Sequence, residues 1–195
     1  MRSWQDYFEL SKNLQPSFLL EKTIPLTSKR DFALDLGAGA LKDTKFLLSM
    51  GFKHVTALDQ DPAIKQYAHK IPRSSLKLVI KPFEKVHRLT ANHYDLINAS
   101  FSLPFTPPPF LPPLVQQIQK SLTINGLFCG QFFGPEDSWN KAKKNLTFLS
   151  PKELKTLLSP LKILYWQEKK FNGNTISGEM KHWHIFHVIA IKTTL

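Results

Sequence analysis

The chain has 195 residues, 42% hydrophobic and 12% aromatic, which suits one domain with a full core and excludes a disordered or fibrous protein. Its only cysteine, Cys129, excludes a disulfide framework and fits a reducing, cytoplasmic setting. The formal charge of +11 invites a polyanionic partner, but lysine supplies 22 of the 26 basic residues and is dispersed, whereas phosphate recognition favours arginine's fork.

The N-terminal residues lack the apolar core of a signal peptide. Residues 1–30 read as a helical segment whose Trp4, Tyr7 and Phe8 either cover the site that follows or pack on the sheet edge. Phe32 to Leu36 is an apolar strand running into the tight turn Gly37-Ala38-Gly39. Leu41, Thr44, Leu47 and Leu48 recur at helical spacing, and Gly51 ends that helix. His54 to Leu58 is a second strand, closed by Asp59 and Gln60. Asp61-Pro62 caps a helix reaching about Lys70, and Leu76 to Ile80 is a third strand, stopped by Pro82. Tyr94 to Ala99 is the fourth.

Leu96 to Gln119 is free of charge for 24 residues, but six prolines interrupt it, so it is not a membrane span. Those prolines delay helix until about Leu114. Asn125-Gly126 turns the chain into a fifth strand, Leu127 to Phe133. Ser150-Pro151-Lys152-Glu153 is a capping box that opens a helix to Leu158. Two strands, about Ile163 to Lys169 and His182 to Ile191, finish the chain around Asn172-Gly173-Asn174.

Alternating strands and helices imply a mainly parallel, three-layer α/β sheet of Rossmann-like type. The closing hairpin makes the last strand antiparallel, so Lys181, His182, Trp183 and His184 should begin at the sheet edge where parallel strands end and ligands bind.

The chemistry concentrates in the first strand, turn, helix and second strand. A dinucleotide fingerprint needs a third glycine where Lys42 stands, so NAD is disfavoured. Asp35 would repel a pyrophosphate but attract a ligand carrying an ammonium and a sulfonium, and S-adenosylmethionine is such a ligand. Asp59 suits paired ribose hydroxyls, because a carboxylate accepts two hydrogen bonds at once.

Leu-Asp-Leu-Gly-Ala-Gly-Ala, Thr-Ala-Leu-Asp, Pro-Phe-Glu at 82–84, Asp-Leu-Ile-Asn-Ala-Ser-Phe at 95–101, Gly-Gln-Phe-Phe-Gly-Pro-Glu-Asp-Ser-Trp at 130–139 and Lys-His-Trp-His-Ile-Phe-His at 181–187 together resemble a class I S-adenosylmethionine-dependent methyltransferase. The likeness is closest to small bacterial tellurite-resistance-like methyltransferases. It implies one domain over residues 1–195 and seven strands in the order 3-2-1-4-5-7-6, with strand 7 antiparallel. It implies that Asp35, Gly37, Ala38 and Gly39 hold the methionine moiety, Asp59 the ribose, and Gln60, Phe83 and Glu84 the adenine. Asn98, Ala99 and Ser100 would meet the methionine part and the incoming nucleophile, and the product would be S-adenosylhomocysteine.

Methyl transfer needs an aligned nucleophile more than it needs a base. If a base acts, His182 or His184 is the candidate, although both could instead tie the hairpin to neighbouring backbone. Their strand face excludes His187, and no carboxylate pattern completes a metal site. Phe101, Gln131, Phe133 and Trp183, with Trp4 and Tyr7, would line an apolar acceptor pocket. The expected acceptor is a small molecule, and the expected assembly is a monomer or weak homodimer, with no membrane partner. Two alternatives stay open: a nucleic-acid methyltransferase, on the +11 charge, and an S-adenosylmethionine-binding protein without catalysis. No Asn/Asp-Pro-Pro-Tyr motif follows the fourth strand, which counts against methylation of a flipped adenine.

Overall fold

The computed structural model describes residues 4–142 and 145–194. Seven strands form one sheet: β1 (Phe32–Leu36), β2 (His54–Asp59), β3 (Leu76–Ile80), β4 (Tyr94–Ala99), β5 (Leu122–Phe133), β6 (Lys162–Asn174) and β7 (Met180–Ile191). Their spatial order is β3-β2-β1-β4-β5-β7-β6, with β7 antiparallel to both neighbours. The helices are α1 (Trp4–Ser11), α2 (Phe18–Thr23), α3 (Lys42–Ser49), α4 (Leu111–Ser121), α5 (Trp139–Ala142) and α6 (Pro151–Leu157).

Side chains alternate across the sheet, so each strand feeds two cores. Leu34, Ile97, Phe128 and Val188 face α4 and α6 in the larger one. Ala33, Leu96, Cys129 and Ile189 face α2 and α3 in the other. Among the described residues no helix is long and apolar enough to cross a membrane.

Three sequence expectations need correction. α4 begins at Leu111 rather than near Leu114, because Pro112 and Pro113 fall in its first turn, where no N–H partner is needed. The stretch after Asp61 is a six-residue 3₁₀ helix, Pro62–Tyr67, instead of a helix to Lys70. Asp61 does cap it, accepting from the Ala63 N–H at 2.8 Å, but Pro72 pushes the residue before it away from helical geometry. Finally, Asn125, with a left-handed φ of 65°, does not start β5 but lies inside it, where pairing with β4 slips between Leu122 and Leu127.

The corner between β5, α5 and β7 is fastened by a buried ion pair. Lys181 Nζ donates to Asp137, and both side chains are within 1% of complete burial. The ammonium also lies 3.8 Å from the ring centres of Trp139 and Trp183. The second Asp137 oxygen accepts from the His184 N–H at 3.2 Å. Lys181→Met would leave the Asp137 carboxylate buried and uncompensated, so chemical denaturation should show a loss of about 3–5 kcal/mol.

Candidate active site

Asp35, the last residue but one of β1, is 1% exposed. Its two oxygens accept from Thr44 Oγ1 at 2.6 Å and Asn98 Nδ2 at 2.8 Å. One carboxylate thereby joins β1 to the first turn of α3 and to β4. The Asn98 amide also reaches Asp43 Oδ2 at 3.3 Å, while Asp43 Oδ1 accepts from Lys42 Nζ at 2.7 Å and from the Ser17 N–H at 2.9 Å. Burial first, then the Asp43 carboxylate, push the Asp35 pKa up to about 7. A cation arriving beside this pair would favour the ionised form.

The turn beyond Asp35 requires glycine for two reasons. Gly37 has φ +73°, and a Cβ there would stand 2.3 Å from Ser102 Cβ. Gly39 has φ +52°. The Gly37 and Ala38 N–H groups donate to the Leu58 carbonyl at 2.8 and 3.1 Å, so the turn is tied to β2. At the end of β2, Asp59 Oδ2 accepts from the Gly39 N–H at 2.9 Å and Oδ1 from the Asp61 N–H at 3.0 Å. A carboxylate offers about four lone-pair sites, so capacity remains for ligand hydroxyls. Burial raises the Asp59 pKa against these donors.

α1 lies across the turn. Phe8 packs with Ala40, Ala63 and Tyr67, and its ring would touch a Gly39 Cβ at 3.4 Å. The Tyr67 hydroxyl donates to Glu9 Oε1 at 2.6 Å and ties α1 to the segment after β2. Tyr7 is 38% exposed overall, yet its phenol is driven up in pKa by burial, then by Asp43 and Asp59. Its hydroxyl end therefore sits in the field of both carboxylates. Trp4 opens α1, and its side chain lies outside the described residues.

Asp35, Gly37, Ala38, Gly39, Asp59 and Asn98 thus converge, with Gln60 exposed beside Asp59 and Ser100 following β4. Ala99 does not join them, because it points into the larger core on the opposite face. Phe83, from the short 3₁₀ turn Phe83–Lys85, packs against that same core, and Glu84 is its neighbour in the turn. Thr44, Asp43 and Ser102 were not anticipated, though the first two stand just after the glycine turn, where a strand-to-helix crossover faces its ligand.

The acceptor side differs from expectation. His182 and His184 do not share a crevice with Trp183, because successive β7 residues face opposite sides. His184 is 1% exposed, with its ring filling the space a Gly134 side chain would need. Its Nδ1 accepts from the Glu136 N–H at 3.2 Å and its Nε2 meets Glu168 Oε1 at 3.0 Å, so both nitrogens are engaged. His182 turns to Asn172 Oδ1 at 2.8 Å, across the hairpin. Phe133 is buried among Phe105, Trp139, Phe148 and Trp183, and so belongs to a closed aromatic cluster.

On the other face of β7 stands His187, against the expectation that the rim histidines are His182 and His184. It pairs in register with Gln131. Gln131 lies two residues beyond Cys129, which itself pairs with Asn98, as Asn98 pairs with Asp35. With a two-residue side-chain period, Asp35, Asn98, Gln131 and His187 all open on one side of the sheet, toward its C-terminal edge. Phe101 completes this side with a left-handed φ of 50°, strained for an aromatic residue, while its N–H donates to Gln131 Oε1 at 3.0 Å.

No protein-family model matches the chain, and no curated protein matches it in sequence. Solved structures match it in shape. TehB from Haemophilus influenzae superposes with a TM-score of 0.77 at 15% identity, over 97% of this chain and 67% of that one. A S-adenosylmethionine-dependent methyltransferase from Methanosarcina mazei gives 0.69 at 17% identity, over 93% and 100%. A 1,6-didemethyltoxoflavin N1-methyltransferase from Burkholderia thailandensis, solved with 1,6-didemethyltoxoflavin and S-adenosylhomocysteine, gives 0.67 at 16%, over 100% and 92%. The chain therefore has the Rossmann-like fold of class I S-adenosylmethionine-dependent methyltransferases.

Asp35 holds its proton more tightly folded than unfolded, so the folded state loses stability as pH rises from about 4 to about 7. Asp35→Asn keeps hydrogen-bonding capacity toward Thr44 and Asn98 without the charge. Thermal melts should show the variant gaining about 5 °C relative to the native chain between pH 5 and pH 8, with little difference at pH 4.

Proposed function

We propose that the protein is an S-adenosylmethionine-dependent methyltransferase that moves a methyl group to a small-molecule acceptor by in-line displacement. The observation carrying this reading is the glycine turn set between two kinds of carboxylate. Asp35 and Asp43 share one amide on one side, and Asp59 caps the turn on the other.

The residues fit that cofactor. Asp35 and Asp43 would face the cationic methionine end, as burial stores Asp35 short of full ionisation until a cation arrives. Gly37 and Gly39 leave backbone bare where a side chain would intrude. The free lone pairs of Asp59 would take the ribose hydroxyls, and Gln60 and Glu84 flank the adenine position. When bound, the cofactor supplies a methyl group already activated by its sulfonium. The chain's own task is to exclude water with α1 and Tyr7 and to present the acceptor from the β4–β5 side, where orientation is worth roughly 7–11 kcal/mol.

A basic rim invites a polyanionic acceptor, but it lies away from the carboxylates. Lys77, Lys81, Lys85 and Arg88 line a cavity of about 360 Å³ whose floor includes Leu34, Thr56 and Leu58. Leu34 and Asp35 point to opposite faces of β1, so this basic rim stands across the sheet from the carboxylates. That placement supports the small-molecule reading.

Isothermal calorimetry with S-adenosylmethionine is the direct test. Asp59→Ala should weaken binding by about 1.5–3 kcal/mol, the scale of a charged hydrogen-bonding group. Native affinity should rise with pH up to about tenfold per unit below pH 7 and level off above it, because binding a cation expels the Asp35 proton. Undetectable binding across that range would sink the proposal.

A further inference from the structure

Three buried side-chain polar atoms lack a hydrogen-bond partner among the described residues, and two of them, Gln131 Nε2 and His187 Nδ1, belong to side chains directly opposite each other on β5 and β7. Gln131 is 0% exposed and His187 3%. An unpaired buried polar atom costs about 1–3 kcal/mol, so two side by side point to a ligand rather than to packing.

Their surroundings define that ligand. The Gln131 amide is locked in one orientation, since its oxygen accepts from Phe101 and its NH₂ is left to face outward from that bond. The rings nearest His187 are Phe18 at 4.9 Å and Phe101 at 6.4 Å, and Phe101 meets Trp183 edge-on at 6.3 Å. Phe18 heads α2 and is 43% exposed, so its ring stands between His187 and solvent. The adjoining Ser17 N–H is held by Asp43, which ties the start of α2 to the carboxylate cluster.

The charge state agrees with the geometry. Burial, then Lys169 on β6, drive the His187 pKa down to about 4, so its imidazole is neutral at physiological pH. A neutral ring with an open nitrogen accepts a proton, and the amide NH₂ donates one. A hydroxyl satisfies both at once. A carboxylate could only accept, and an ammonium could only donate.

We propose that the acceptor is a planar aromatic ring bearing a hydroxyl, held by Gln131 Nε2 and hydrogen-bonded to His187 Nδ1, which takes the hydroxyl proton as methyl transfer to the oxygen makes it acidic. This rests on the methyltransferase reading above and names its acceptor class. As the acceptor oxygen forms its bond to the methyl carbon, the carbon–sulfur bond breaks and its electron pair stays on sulfur, leaving S-adenosylhomocysteine. The hydroxyl proton passes to His187 and from there to water.

The test uses the full chain with S-[methyl-³H]-adenosylmethionine and a matched panel of p-cresol, catechol and 2-naphthol against p-toluidine, p-thiocresol and benzoate. Label should enter the hydroxy-arenes preferentially. His187→Phe keeps a ring of similar shape and removes the orphaned nitrogen, so its melting temperature should rise by about 2–4 °C while turnover falls at least about 100-fold. Its cofactor affinity by calorimetry should stay within about twofold of native.

A structural histidine would give the opposite thermal result, a lower melting temperature, and that overturns the assignment without any acceptor in hand. Cofactor binding with label confined to the amine, the thiol or benzoate, or with no hydroxy-arene labelled, overturns the acceptor class and leaves the methyltransferase reading standing. Failure to bind the cofactor removes that reading itself.

Discussion

A carboxylate inside the sheet is the constraint around which this protein is arranged. Leaving Asp35 buried without donors would cost several kcal/mol. The fold supplies two donors, and each comes from a different element. Thr44 fixes where α3 begins, and Asn98 fixes how far β4 extends beside β1. With both ends set, the chain between Leu36 and Leu41 must cross in a tight left-handed path. Ser102, donating to the Leu36 carbonyl at 2.6 Å, closes the space where a side chain at Gly37 would go. The shape of the turn is thus a consequence of satisfying one acid.

The sheet was largely readable from residue patterns, because short apolar runs punctuated by glycine, proline and asparagine allow few alternatives. Strand seven's direction followed from the closing hairpin. The carboxylates and glycines were also readable, since their chemistry is local to one βαβ unit. Residues 181–187 were harder. His182, Trp183, His184 and His187 are all plausible rim residues by type, and only register against β5 decides that His187 opposes Gln131 while His184 turns to Glu136 and Glu168. That register is a tertiary fact, held by the Lys181–Asp137 pair and by the fit of the His184 ring over Gly134. α4 misled for a different reason: prolines that forbid a helix interior are welcome in its first turn.

Packed cores eliminate unpaired polar atoms and strained aromatics, so their distribution is informative. Here a buried acid of raised pKa, a left-handed phenylalanine, an unpaired amide N–H and an unpaired imidazole nitrogen fall on one side of one sheet, on or just beyond four adjacent strands. On the opposite face the larger core is almost wholly aliphatic and aromatic. Stability has been conceded along this edge and recovered beneath it, the pattern expected where a function needs groups that folding alone would remove.

The sheet order also leaves β3 and β6 as its two margins. β3 carries Lys77 and β6 carries Lys162, Lys169 and Lys170, all exposed. A margin strand presents unpaired backbone groups that would accept another strand, and lysine side chains along it make such stacking unfavourable by repulsion and by their hydration. Part of the +11 charge therefore has a use unrelated to any partner. It keeps an open seven-stranded sheet from extending into its neighbours, and so defends solubility at the concentrations a cell imposes.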